Sequence, residues 1–86
     1  MNGHEILEIV LKTSDELSRD YGDWEGDICD FVSASVAVSD SLSSNDVRDL
    51  HKEMHGSSFI TKESEIVFYS TRGRPHIFVK PLEKKQ

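Results

Sequence analysis

Two arginines around a glycine, Arg72-Gly73-Arg74, followed by Pro75, are the most distinctive chemical feature of this 86-residue sequence. Guanidinium groups are permanently charged, planar forks of donors, suited to phosphate oxygens, carboxylates and the negative floor of a narrow nucleic-acid groove. Glycine between them lets the backbone approach such a surface closely. The same residues also make a plain turn, with Gly73 supplying positive φ and Pro75 stiffening the start of a strand. An acidic protein surface is the third partner this chemistry would suit.

His51 and His55 lie one helical turn apart, a spacing that can hold zinc. In His51-Lys52-Glu53-Met54-His55, however, the glutamate falls one place late for a zinc-protease motif. Nothing in the sequence brings Cys29 or His4 to them as further ligands. Histidines favoured by the dipole at a helix C-terminus are the simpler reading, so no metal is expected. Cys29 follows Ile28 and precedes Asp30 without a basic activator, which marks it as a buried structural thiol. There is no phosphate-cradling glycine loop, nucleophile elbow or pair of catalytic carboxylates. The expectation is a protein that is not an enzyme and uses no cofactor.

Composition narrows the class. With 36% hydrophobic and 30% charged residues the chain is too apolar for a disordered protein and ordinary for a single folded domain. No apolar run approaches the roughly 20 residues of a membrane span, and Met1-Asn2-Gly3-His4-Glu5 lacks the features of a signal peptide. One cysteine fits a reducing compartment, so the expected location is the cytoplasm. The net charge of −6 is uneven. Residues 1–55 hold 13 acidic and 4 basic side chains, whereas residues 56–86 hold 6 basic and 3 acidic. An acidic body repels a polyanion at long range, while the basic end can still touch one locally.

The elements that must position these groups follow from periodicity. Asn2 and Glu5 have capping-box spacing, and Ile6, Ile9, Val10, Thr13, Leu17 and Tyr21 form one stripe, predicting a helix over about 3–20. Gly22 to Asp27 reads as a loop, with Trp24 plugging the core. Asp27 can cap a second helix over about 28–40, although Val32, Ala34, Val36 and Val38 also alternate as a strand would. Ser43-Ser44-Asn45-Asp46 opens a third helix over about 44–55, with Val47, Leu50 and Met54 inward and Gly56 as its stop. Strands are expected at about 58–61, 65–70 and 76–80. Folding the last two about Gly73 sets Phe68 opposite Phe78 and Tyr69 opposite Ile77. Both faces of that hairpin carry apolar residues, so one covers the helices and the other needs a third strand, a second subunit or a partner protein. The tail from Leu82 to Gln86 is expected to fray.

Three helices followed by a C-terminal β-hairpin make an α+β fold with the element order of winged-helix proteins. Val36-Ala37-Val38-Ser39-Asp40-Ser41-Leu42-Ser43-Ser44-Asn45-Asp46-Val47-Arg48-Asp49-Leu50 resembles their helix-turn-helix motif. In that resemblance Ala37 sits where two helices cross, Ser41 takes the tight turn where the family usually has glycine, and Leu42 plugs it. Ser43 then caps the next helix, while Val47 and Leu50 pack it back. The family places this second helix in the DNA major groove. Here that helix also carries Asp46, Asp49 and Glu53, which phosphates would repel. Arg72-Gly73-Arg74-Pro75 resembles the core of an AT-hook, which lies in the minor groove of A·T-rich DNA.

Together these resemblances imply a small, cytoplasmic DNA-binding regulator of transcription. Asn45, Arg48 and Lys52 would face the major groove, and Arg72, Gly73 and Arg74 the minor groove. Homodimerisation through the second apolar face of the hairpin is part of that expectation. The alternative is an acidic protein-binding module, an inhibitor, adaptor or DNA mimic, that engages a basic protein and no nucleic acid.

Overall fold

The computed structural model describes residues 2–82, so the expected fraying of the tail falls, beyond Leu82, outside the described residues. Helix α1 (Gly3–Tyr21) begins with the predicted capping box. The Asn2 Oδ1 accepts from the Glu5 N–H at 2.9 Å, and the Glu5 carboxylate accepts from the Asn2 N–H at 3.1 Å. These bonds satisfy donors that a helix start would otherwise leave unpaired. Val10, Thr13 and Leu17 are buried from the expected stripe, but Tyr21 at its end is 69% exposed.

The segment expected as a loop contains a strand, β1 (Trp24–Asp27). Two acids and a glycine in four residues carry no strand propensity of their own. The strand exists because it completes the ladder of a longer one, with Gly26 opposite Ile77 and Trp24 opposite Val79. Gly26 is needed for packing: a Cβ there would lie 2.7 Å from the Trp24 ring and 2.9 Å from the Asp30 Cβ. Trp24 in turn sets its edge on Phe31, with centroids 5.9 Å apart, and closes the core as expected.

Helix α2 (Ile28–Ser35) starts at Asp27, again through a capping box, with Asp30. It ends five residues short of the predicted boundary at 40. Its last turn holds no basic residue to meet the helix dipole, and the β-branched Val36 and Val38 are poor helix formers. Ser39 accepts from the Ser41 N–H instead, a local bond that competes with the helix. Ala37 is consequently exposed in a turn and is not at a helix crossing. Leu42 is buried at 6% exposure, as the plug of the connection, and Ser43 caps α3 (Ser44–Met54) with Asp46. The connection between α2 and α3 is therefore residues 36–43, longer than a tight helix-turn-helix turn.

Strands β2 (Ser58–Ile60), β3 (Ser64–Thr71) and β4 (Arg74–Pro81) join β1 in one antiparallel sheet of order β1-β4-β3-β2. The hairpin register is one step from the expected one. Its turn is the two residues Arg72 and Gly73, both at positive φ (54° and 77°), which makes Phe68 oppose Ile77, Val67 oppose Phe78 and Tyr69 oppose His76. Because side chains alternate, one step exchanges the faces of a strand. Phe78 and Tyr69 thus lie on the outer face, while Ser64, Ile66, Phe68, Ile77 and Val79 are buried against the helices. With Val10, Leu17, Ile28, Phe31, Leu42 and Val47 these apolar residues form the core. A polar seam ties α1 to the start of β3: the Asp15 carboxylate accepts from the Thr61 and Ser64 hydroxyls, each at 2.6 Å.

Candidate nucleic-acid interface

The helical period sorts α3 into three stripes. Val47 and His51 are buried, with Leu50 and Met54 half-buried beside them. Asn45, Arg48, Lys52 and His55 follow one another at steps of three and four on a second stripe, and all are exposed. Asp46, Asp49 and Glu53 form the third. They border a groove of about 330 Å3 with Gly3, His4, Ile6 and Leu7 of α1. That position is electrostatically sound, since the unpaired N–H groups of a helix N-terminus favour carboxylates. The acidic residues that seemed to spoil α3 as a polyanion-binding helix are therefore gathered on the flank facing α1.

The basic flank faces the hairpin. Arg48, His51, Lys52 and His55 line a groove of about 440 Å3 whose opposite wall is Ser70 and Pro75. Arg48 and Pro75 also line a neighbouring hollow of about 210 Å3, together with Asp27, Ile28, Cys29, Gly73 and Arg74. Two separate sequence signals, the basic stripe of α3 and the Arg-Gly-Arg-Pro tip, are joined through Arg48. Asn45 stands at the start of this stripe, where its Oδ1 accepts from the Arg48 guanidinium at 3.3 Å. Arg72 is exposed at the apex of the turn and lines neither hollow. Among the described residues the ion pairs join Arg19 to Glu16 and Glu63, and Lys80 to Glu65. Arg48, Lys52, Arg72 and Arg74 make none among the described residues.

His51 holds the two parts together. Its Nε2 lies 2.7 Å from the Tyr69 carbonyl and 3.0 Å from the His76 carbonyl, on paired positions of β3 and β4. Carbonyl oxygens only accept, so Nε2 carries the hydrogen and donates to both. The ring is 3% exposed and meets Phe68 edge to face at 5.9 Å. It is a brace between α3 and the hairpin; among the described residues no three His, Cys, Asp or Glu are grouped to hold a metal ion. Its step of four from Val47 was the signal for this role. His55 adds a second, exposed link, its Nε2 lying 2.9 Å from the Ser70 hydroxyl.

Two further side chains border the interface. Cys29, expected to be buried, is exposed in the first turn of α2 and lines the hollow with Arg48 and Arg74. The early position in α2 turns it outward while Ile28 and Phe31 take the core. The Asp27 carboxylate is held below its ordinary range chiefly by the Asp30 backbone N–H, against the opposing effect of burial and with help from His76 and Arg74. It lines the same hollow as Arg74. On the outer face of the sheet, burial and a hydrogen bond to Glu25 push the Tyr69 phenol up to about 12, keeping it protonated as the donor to that carboxylate.

No described helix is long and apolar enough to cross a membrane. Comparison with family models, with curated proteins and with solved structures finds no match to this chain.

Proposed function

We propose that the protein is a small double-stranded-DNA-binding regulator of the winged-helix kind, reading DNA with α3 and the tip of the β3–β4 hairpin. The observation that carries this is the joint position of Arg48, which lines both the α3 groove and the hairpin hollow and so makes one cationic surface of two elements. In this reading Asn45, Arg48 and Lys52 face the major groove. Arg72 and Arg74 enter the minor groove, with Gly73 allowing the close approach. The segregation of Asp46, Asp49 and Glu53 to the α1 flank supports it, because phosphates along the basic flank would not meet them at short range. The eight residues between α2 and α3 depart from a tight helix-turn-helix, so the support comes from α3 and the hairpin and not from the turn.

The rival, an acidic module that binds a basic protein, would use the other flank of α3 and the groove it shares with α1. One titration separates the two. The protein is mixed with an A·T-rich and a G·C-rich duplex at two salt concentrations, beside an Arg72→Ala/Arg74→Ala variant. Binding should be tighter to the A·T-rich duplex and weaken with salt, and the double substitution should cost roughly ten- to a hundredfold in affinity. Absence of binding at low salt, or binding indifferent to the substitution, removes the DNA reading and favours the acidic one.

A further inference from the structure

The outer face of the sheet carries half-buried Val67, Tyr69 and Phe78, and Ile60 at its edge is 68% exposed. No described helix lies on this side, since the buried residues of β3 and β4 all belong to the other face. We propose that a second copy of this chain covers it, in an isologous contact whose two-fold axis runs parallel to β3 and β4. The register decides the occupant and the axis. Across the hairpin the outer face presents three rows: His76 beside Tyr69, Phe78 beside Val67, and Lys80 beside Glu65. A two-fold axis along the strands, placed between β3 and β4, lays each β4 over the β3 of the second copy and leaves every row facing itself. Phe78 then meets Val67 of the second copy. Lys80 meets Glu65 of the second copy, and Glu65 meets its Lys80, so four charges alternate around a square. The Lys80–Glu65 pair already formed within one chain, at 3.6 Å, supplies both halves of that square. An axis across the strands reverses the rows instead, placing Lys80 over His76 and Glu65 over Tyr69, whose hydroxyl is already given to Glu25. Charge complementarity selects the first arrangement.

The face is small. Strands of four, three, eight and eight residues, each residue covering about 3.3 Å by 4.8 Å, give roughly 360 Å2 of face per copy. Twice that lies below the range of stable specific interfaces, so the association is weak and reversible. The axis has a functional consequence, and only this consequence rests on the DNA reading above. With the axis along the strands both Arg72-Gly73 tips point to the same end of the dimer. Packed sheets lie about 10 Å apart, and each helix layer adds about 10 Å from half a helix diameter and half a sheet spacing. The two α3 helices are then about 30 Å apart, close to the roughly 34 Å that separates half-sites one turn apart on DNA.

The test is sedimentation of the protein without DNA, so that its outcome is independent of any nucleic-acid activity. The unaltered chain should show a concentration-dependent shift from monomer to dimer. Lys80→Glu alone and Glu65→Lys alone each place like charges opposite one another twice, and each should weaken the dimer about tenfold or more. Mixing the two variants should restore dimers, because each then meets the opposite charge in both contacts. Val67→Glu, at the apolar centre, should abolish the dimer, and circular dichroism of every variant should match the unaltered chain. A chain that stays monomeric at every concentration overturns the proposal. So does a dimer that neither charge reversal weakens, or a mixture that associates no better than its separate components.

Discussion

The two flanks of α3 differ in charge and in neighbours. Arg48, Lys52 and His55 look across a groove at the hairpin, while Asp46, Asp49 and Glu53 look at the first turn of α1. One helix of 11 residues thus presents a cationic surface on one flank and an anionic one on another. The contrast shows how little a net charge of −6 says about any one face of so small a domain. What matters most to a polyanion is the charge that lines its contact, since charges beyond a Debye length, about 8 Å at physiological salt, are largely screened, and the charged side chains lining the hairpin groove are basic. The comparison can be broken at three points.

The strongest is His51, which holds the basic flank against the hairpin. His51→Ala removes the donor shared by the Tyr69 and His76 carbonyls and leaves a cavity beside Phe68. The expected loss is about 3 kcal/mol of folding stability, the usual scale for a buried side chain with buried partners. Chemical denaturation followed by circular dichroism measures it. An unchanged midpoint would mean that the groove does not depend on this brace.

Next come two adjacent residues on opposite flanks. Arg48→Glu should weaken duplex binding by about 1–3 kcal/mol, or roughly 5- to 150-fold, because Arg48 belongs to both hollows. Asp49→Ala, one position along, removes a charge that faces α1 and should change affinity by less than about twofold. Both are read by the same titration. Equal effects would erase the distinction between the flanks.

Much of this was legible in the residues themselves. All three capping boxes, Asn2 with Glu5, Asp27 with Asp30 and Ser43 with Asp46, involve neighbours three apart, so the helix starts could be read with little error. The stripe of Asn45, Arg48 and Lys52 is visible in the same way. What could not be read locally depended on partners distant in the chain. Strand β1 owes its existence to the free edge of β4, about fifty residues on. The end of α2 was obscured because Val36, Ala37 and Val38 suit helix and strand patterns alike. The hairpin faces were exchanged by treating Gly73 as the sole turn residue, when Arg72 shares the turn. Most importantly, periodicity separates the stripes of α3 but does not say which one faces the hairpin; that depends on how α1 and the sheet pack around it.

Arg72 gives the finest test. It adopts φ 54° next to Gly73 at 77°, a two-residue turn of the kind in which asparagine commonly takes the first place. An L-residue with a long side chain is strained there, whereas asparagine tolerates the left-handed region. Arg72→Asn should therefore raise stability by about 0.5–1 kcal/mol while removing a guanidinium from the apex of the tip. If the tip enters a minor groove, the same substitution lowers affinity for the A·T-rich duplex and reduces its dependence on salt. Thermal denaturation and the duplex titration measure the two effects on one variant. A gain in stability with no loss of binding would assign Arg72 to the turn alone and leave Arg48 and Arg74 as the arginines that meet DNA. A loss of both would show that the arginine stabilises the turn by a contact of its own, and the strain argument would fail.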